Sequence, residues 1–153
     1  MIFKIIEGIP DYAEIIDLIN AEWPVQFGEK SDSEKIADMR ESHDVERDRT
    51  VYIYDDSKII GFYRYTAWPR AARITETAHI YDIAVLPSMQ KQGIGMLLMD
   101  NLVDDCRKQG FKKLLSRSFR TNEGSIRLHK AAGFGISLET DDSIVWEIPI
   151  SSK

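Results

Sequence analysis

The 153-residue sequence contains a single cysteine, Cys106, and has no long apolar run. One thiol excludes an intramolecular disulfide, which favours a reducing compartment. No segment approaches the roughly 20 consecutive apolar residues that a membrane-spanning helix needs. The N-terminal stretch also lacks the apolar region typical of a secretory signal. These absences predict a cytoplasmic protein that does not associate with a membrane.

Basic residues are scarce relative to acidic ones. The chain carries 20 lysines and arginines against 25 aspartates and glutamates, a formal net charge of -5. A general nucleic-acid-binding protein needs a basic face, so nucleic acid is not an expected partner, whereas a cationic small molecule is compatible with this charge. The sequence also lacks Pro/Gly/Ser-rich linkers, internal repeats and low-complexity segments, which predicts one domain over residues 1–153.

Hydrophobic patterns are typical of a chain in which strands and helices are mixed. Strands are expected over 2–7, 50–68 (a hairpin), 77–86 and 112–119, followed by two closing strands after 133. Helices are expected from Asp11, from about Ser33 to Arg47, from Met96 to Lys108, and from Thr121 or Asn122 to near Gly133. His43, in the charged second helix, is expected to be solvated. Cys106, on the apolar stripe of the third helix, is expected to be buried and inert.

Two glycines, Gly93 and Gly95, stand where the third helix should begin, directly after an apolar strand. Each costs about 1 kcal/mol relative to alanine inside a helix. The first turn of a helix has unpaired N–H groups and the positive end of the helix dipole, and glycine lets an anion approach them closely. The pattern therefore predicts a cradle for a phosphate or pyrophosphate. It is neither a nucleotide P-loop nor a dinucleotide fingerprint, whose third glycine would stand at Leu98.

The segment Gln90-Lys91-Gln92-Gly93-Ile94-Gly95 resembles the Q/R-x-x-G-x-G/A signature of the GNAT superfamily of acetyl-CoA-dependent N-acetyltransferases. IAVLP (83–87) resembles the end of the fourth strand of that family, and NEGSIRLHKAAGF (122–134) resembles its N-x-x-A-x-x-[L/F]-Y-x-x-x-GF segment. The three pieces cover roughly the C-terminal half. The resemblance implies an α/β (α+β) fold: a mixed, mostly antiparallel sheet of about seven strands with about four helices, in which strands four and five are parallel and splayed.

The resemblance also implies acetyl-CoA as cosubstrate and no metal. In the family the pantetheine arm lies between the splayed strands, so it would bond the backbone of Ile83, Ala84 and Val85. An N–H near Ile83 or Val85 would polarise the thioester carbonyl. Asn122 would contact the cofactor arm. The pyrophosphate would be held by the backbone N–H groups of Gln90, Lys91, Gln92, Gly93, Ile94, Gly95 and Met96.

Attack of an amine on a thioester calls for a base and a proton donor, and the resemblance indicates where to expect them. His129 stands where the family usually has the tyrosine proposed to protonate the thiolate, and histidine can do this because it titrates near neutrality. The alternative is a helix histidine with no role. His79 is the first choice for the base, followed by Tyr81 on the same strand face and by Asp82, which a β-bulge would turn into the cleft. The alternative for His79 and Tyr81 is simple packing.

The acceptor is expected to be a small-molecule primary amine. Two alternatives stay open: an N-terminal or lysine amine of a protein, and a non-catalytic acyl-CoA-binding regulatory domain. The resemblance implies that segments 22–32 and 68–75 line the acceptor site. In the first of them, Glu22, Trp23, Phe27 and Glu29 form either an aromatic and acidic pocket or a loop pinned by its aromatic residues. Domains of this family often dimerise, so a homodimer is among the expected states.

Overall fold

The computed structural model describes residues 1–22, 30–69 and 75–150, the side chains of Ala21 and Glu22 excepted. The strands in these ranges form one sheet in the order β1-β2-β3-β4-β5-β7-β6. They are β1 Ile2–Ile6, β2 Asp48–Asp55, β3 Lys58–Trp68, β4 Thr77–Val85, β5 Lys113–Phe119, β6 Gly135–Glu139 and β7 Ser143–Pro149. The α-helices are α1 Ile16–Glu22, α2 Asp32–Ser42, α3 Ile94–Lys108 and α4 Glu123–Ala131. β4 and β5 run parallel and the other neighbours antiparallel, which confirms the predicted mixed sheet.

Alternation along β3 divides its apolar residues between the two faces of the sheet, because successive side chains of a strand point to opposite sides. Tyr63 and Tyr65 belong to the larger apolar cluster, which includes the buried face of α3. Phe62 belongs to the second cluster, with Tyr12 and the apolar residues of α1 and α2. We call these the α3 face and the α1–α2 face. The core is therefore two layers separated by one sheet.

One helix ends earlier than the sequence pattern predicts. α2 stops at Ser42 because His43, in extended conformation, turns its side chain into the protein rather than continuing the helix. That side chain is only 2% exposed, and its Nδ1 lies 3.0 Å from the Tyr12 hydroxyl. The expectation that His43 is solvated was wrong, because the packing of α2 against the sheet buries the end of this helix.

The parallel pair β4 and β5 separates along its length. Their paired residues run only from Thr77–Lys113 to His79–Leu115, although β4 continues to Val85 and β5 to Phe119. Beyond His79 the edge of β4 that faces β5 lacks a strand partner within the described residues. This confirms the predicted splay and leaves an opening between the two strands.

A β-bulge lies on β4 at the point where the strands separate. Arg64 pairs with Asp82 and Tyr65 with Ile80, so Tyr81 is an extra residue on the β4 side. Before the bulge, Ile80 packs on the α3 face. Without the bulge Asp82 would follow it there, whereas the extra residue moves Asp82 to the α1–α2 face.

The close approach of β3, β4 and α3 depends on Gly61. A Cβ at this position would lie 2.9 Å from the Ala84 carbonyl oxygen and 2.9 Å from the Leu98 Cδ1. We expect Gly61→Ala to lower the free energy of unfolding by about 2 kcal/mol, the usual cost of overpacking, as measured by urea denaturation. Gly135→Ala is the matched control, since its Cβ would meet only the Glu147 carbonyl oxygen at 4.0 Å. Equal midpoints for the two variants would contradict this account.

Candidate active site

A groove of about 290 Å³ lies between the N-terminal ends of α3 and α4 and the end of β4. We call it the α3–α4 groove. Its lining comprises Ile83, Val85, Gln90, Lys91, Gly95, Asn122, Gly124, Ser125, Arg127 and Leu128. Helix α3 begins at Ile94, two residues before the predicted start, so Gly95 lies inside its first turn.

The turn before α3 has the conformation that makes its glycine necessary. Gly93 is the N-cap residue with a φ of +80°, in the left-handed region that favours glycine. The first helical bond runs from the Leu97 N–H to the Gly93 carbonyl at 3.1 Å. The N–H groups of Ile94, Gly95 and Met96 therefore precede the intrahelical bonds and form a positive end suited to an anion.

The backbone of β4 divides its polar groups between β3 and the opening. The Leu86 N–H donates to the Ile60 carbonyl on β3 at 2.9 Å, and strand alternation then directs the groups of Ala84 to β3 and those of Ile83 and Val85 to the opening. The Val85 carbonyl accepts from Gln90 Nε2 at 3.1 Å. The expectation that Ala84 bonds a ligand in the opening is thereby corrected, because its backbone groups face Phe62.

A second cavity, of about 240 Å³, lies between the separated parts of β4 and β5. We call it the β4–β5 cleft. Its lining comprises Ile19, Met39, Arg64, Ile80, Tyr81, Asp82, Ile83, Ser116, Arg117, Ser118, Phe119, Asn122, Ser125 and His129. It shares Ile83, Asn122 and Ser125 with the α3–α4 groove, so the two cavities adjoin at these residues.

Asp82 is held in the cleft by a buried arginine. Its Oδ2 accepts from Arg64 Nε at 2.9 Å, and the side chains are 25% and 10% exposed, respectively. Arg64 also lies 3.4 Å from the Tyr12 hydroxyl and 5.1 Å from the centroid of the Tyr81 ring. Tyr12 in turn contacts His43 at 3.0 Å. The bulge thus produces a carboxylate of fixed orientation, partly open to the cavity.

Two of the three predicted bases, Tyr81 and Asp82, line the cleft, and His79 does not. The His79 ring lies between Trp68 and Tyr81, with centroid distances of 5.1 and 5.6 Å. Its Nδ1 is buried and has no hydrogen-bond partner in the described ranges, and burial lowers the pKa of the ring. His79 therefore lies outside the cleft lining, at the last residue of β4 that pairs with β5.

His129 is 1% exposed, and each of its ring nitrogens has a polar partner. Its Nδ1 lies 2.7 Å from the Ser125 carbonyl oxygen and its Nε2 2.7 Å from Ser116 Oγ. The ring stacks on Trp146 at 5.4 Å, and burial lowers its pKa. A carbonyl can only accept, so Nδ1 carries the proton, and Nε2 of the neutral ring accepts from the Ser116 hydroxyl.

Several residues of the site were not singled out in the sequence. Arg64 stands among aromatic and apolar residues on a strand covered on both faces, and an arginine in such a place signals a buried partner. Ser118 and Ser125 lie 2.7 Å apart, and Ser118 accepts from the Trp146 indole N–H at 2.9 Å. Small serines carry no comparable signal in a sequence, because their role depends on what the fold packs beside them.

Other predicted features have simpler outcomes. Cys106 is fully buried and burial raises the pKa of its thiol, as expected for an inert residue. Lys91 and Arg127 line the α3–α4 groove. Trp23, Phe27, Glu29 and the side chain of Glu22 lie outside the described residues, as does the 70–74 part of the second predicted acceptor segment.

Within residues 1–22, 30–69 and 75–150, no group of three or more His, Cys, Asp or Glu side chains is arranged to hold a metal ion. Likewise, none of the helices in the described part of the chain has the length and apolar character needed to cross a membrane.

The adjoining cavities, the splayed strands and the glycine turn define a class of protein, and comparison with known families identifies it. The family model described as Acetyltransferase (GNAT) family matches residues 12–134. This is most of the sequence, and the chain therefore belongs to the GNAT acetyltransferase family.

Individual relatives share only part of their sequence with this chain. The ribosomal protein bS18-alanine N-acetyltransferase of Escherichia coli K12 is 31% identical over 88 residues, which cover 51% of this chain and 60% of that protein. An acetyltransferase from Thermus thermophilus has a TM-score of 0.77 at 14% identity over 98% of each chain. The PaiA N-acetyltransferase from Thermoplasma acidophilum, in complex with coenzyme A, has a TM-score of 0.72 at 16% identity over 98% of this chain and 100% of that one. At these identities the two solved structures demonstrate a shared fold.

Proposed function

We propose that this chain is a single-domain enzyme that transfers the acetyl group of acetyl-CoA to a primary amine by direct attack. The observation that carries the proposal is the meeting of two cavities at Ile83, Asn122 and Ser125. One cavity ends at a helix N-terminus suited to a pyrophosphate, and the other contains a carboxylate suited to an amine. A thioester bound where the cavities adjoin would be held from the first cavity and open to attack from the second.

The cosubstrate would occupy the α3–α4 groove. The N–H groups from Gln90 to Met96 would hold the pyrophosphate, and the backbone of Ile83 and Val85 would bond the pantetheine arm as an added strand would. Asn122 lies beside this path, although its Oδ1 already caps α4 by accepting from the Ser125 N–H at 3.0 Å. An N–H of Ile83 or Val85 would polarise the thioester carbonyl as it becomes an oxyanion.

The acceptor amine would enter the β4–β5 cleft beside Asp82. An alkyl amine has a pKa of about 10.4, so reaching its neutral form near pH 7 costs about 5 kcal/mol. A carboxylate attracts the ammonium form, which loses one proton to solvent before it can attack, and accepts the second proton directly or through water as attack proceeds. Asp82 is the base that we favour, because it lines the cleft and His79 does not. Tyr81 shares the lining but has no carboxylate to attract the cation.

A small-molecule amine is the acceptor that we favour, because the cleft has a volume of only about 240 Å³. The N-terminal amine of a protein is a second candidate, since the chain is similar to an enzyme that is named for acetylating an alanine of ribosomal protein bS18. Both acceptors present an amine to the same carboxylate. They differ in what surrounds the amine, which depends on the segments that border the cleft.

The proposal is tested first by calorimetric titration with acetyl-CoA, with ATP and NAD as controls. Selective binding near micromolar concentration supports the site, and selective binding of ATP or NAD rejects it. Thiol release is then measured with small amines and with peptides that begin with alanine. The control for each is the same compound with its amine blocked. Release with peptides alone would favour the second candidate. Binding without release from any amine would indicate a non-catalytic acyl-CoA-binding domain.

A further inference from the structure

We propose that the hydroxyl of Ser125, and not the imidazole of His129, donates the hydrogen bond that stabilises the departing sulfur of coenzyme A. His129 then acts as a positioning residue for Ser125. This inference rests on the proposed function, because it assigns a role within acetyl transfer.

The first argument is position. A thioester that is bound in the α3–α4 groove and attacked from the β4–β5 cleft must lie where these cavities adjoin. The residues that line both are Ile83, Asn122 and Ser125, and Ser125 alone among them carries a hydroxyl. Ser125 is half-buried, whereas His129 is 1% exposed and lines the cleft only.

The second argument is the availability of protons. The single N–H of neutral His129 donates to the Ser125 carbonyl at 2.7 Å, and its other nitrogen accepts from Ser116. The ring therefore has no free proton to offer a sulfur. Its burial among Trp146, Phe134 and the backbone of α4 also disfavours a second proton.

The third argument is the direction of the neighbouring hydrogen bonds. The Trp146 indole can only donate, so Ser118 Oγ accepts from it at 2.9 Å. We assign the Ser118 hydroxyl as the donor to Ser125 Oγ, 2.7 Å away, because His129 Nδ1, 3.4 Å from both hydroxyl oxygens, already carries a proton and cannot accept. With this order of donors, the Ser125 hydroxyl proton is not used within the series of hydrogen bonds. It can therefore point to the place where the two cavities adjoin.

In the resulting step the amine nitrogen bonds to the carbonyl carbon, the carbon–sulfur bond breaks, and its electron pair remains on sulfur. The ammonium form first loses one proton to solvent, and the second proton, which the nitrogen loses as its bond to carbon forms, goes to Asp82 or to a water bound beside it. The Ser125 hydroxyl keeps its own proton and donates a hydrogen bond to the thiolate, which is protonated from solvent after release. A donor aimed at developing charge in a site with little water stabilises that charge more than water would.

The test measures the thiol pKa of bound coenzyme A, by the ultraviolet absorbance of the thiolate, together with the kinetics of acetyl transfer. We expect Ser125→Ala to raise the bound thiol pKa by about one unit and to lower kcat by about tenfold, the usual effect of losing one hydrogen bond to a charged group. The Kd for acetyl-CoA should change far less. Ser125→Thr, which retains a hydroxyl, should restore most of both losses.

His129→Gln is the companion variant, because an amide can donate to the Ser125 carbonyl and accept from Ser116. If His129 only positions Ser125, this variant lowers kcat less than Ser125→Ala does and leaves the bound thiol pKa near its original value. If the thiol pKa of bound coenzyme A is the same in Ser125→Ala and in the unaltered protein, this inference is overturned, whereas the proposed function is not. A larger effect of His129→Gln on kcat and thiol pKa also overturns it. Failure of coenzyme A to bind the unaltered protein overturns the proposed function, and this inference with it.

Discussion

Replacing Asp82 with asparagine is expected to lower kcat by about two to four orders of magnitude, the usual contribution of a general base. The amide keeps the shape of the carboxylate and an oxygen that can still accept from Arg64 Nε. It can neither attract an ammonium ion nor take its proton. Acetyl-CoA affinity should be unchanged, because Asp82 lines the β4–β5 cleft and not the α3–α4 groove. The measurement is the initial rate of thiol release, with the cosubstrate Kd from calorimetry.

Two further variants make this result specific. Asp100→Asn removes an exposed carboxylate from α3 and should leave the rate as it is. His79→Gln tests the base that was first expected from the sequence. If His79→Gln abolishes turnover while Asp82→Asn retains it, Asp82 is not the base. The proton of the amine must then travel from the cleft to His79, which lies outside its lining.

Introducing a phenylalanine at Gly95 is expected to weaken acetyl-CoA binding by more than about a hundredfold. A Cβ at this position points at Leu128 of α4, at 3.6 Å from Cδ1, across the α3–α4 groove. An aromatic ring must occupy that space and cover the N–H groups of the first turn of α3. The cosubstrate would then have neither room in the groove nor access to the helix terminus. The interactions that would hold its pyrophosphate would be lost.

Gly95→Ala is the matched control for this prediction. Its methyl group would make ordinary contacts with Leu128, at 3.6 and 3.9 Å, and alanine favours the helix by about 1 kcal/mol over glycine. We therefore expect binding to persist and thermal stability to rise slightly. Circular dichroism checks that the phenylalanine variant is folded. A folded Gly95→Phe protein that binds acetyl-CoA with unchanged affinity would show that the cosubstrate does not use this groove.

The features that were predicted correctly are local in the chain. Gly93 and Gly95 follow a strand and open an amphipathic helix, as the spacing indicated, although the helix begins at Ile94 and not at Met96. Asn122 caps the next helix for the same kind of reason, since its side chain bonds an N–H three residues ahead. The order of strands and helices also follows from periodicity within short segments.

The features that were missed or misjudged depend on contacts between distant segments. The family resemblance assigned Ala84 to the cofactor arm together with Ile83 and Val85, but the hydrogen bonds to β3 decide which of these backbones face the opening. His43 was expected in solvent, and the packing against Tyr12 buries it. Arg64 had no assigned role until the strand register placed it opposite Asp82.

The sequence by itself determined the helix-and-strand order, the glycine turn that can receive an anion, and the family to which these motifs belong. Each motif on which these depend lies within about a dozen consecutive residues, where backbone conformation and helix capping act. Only the tertiary structure decided that Tyr81 is a bulge residue, that Asp82 rather than His79 faces the cleft, and that serines surround His129. The reason is physical: the side to which a strand residue points is set by its register with the neighbouring strand, and a one-residue shift reverses every side chain that follows it.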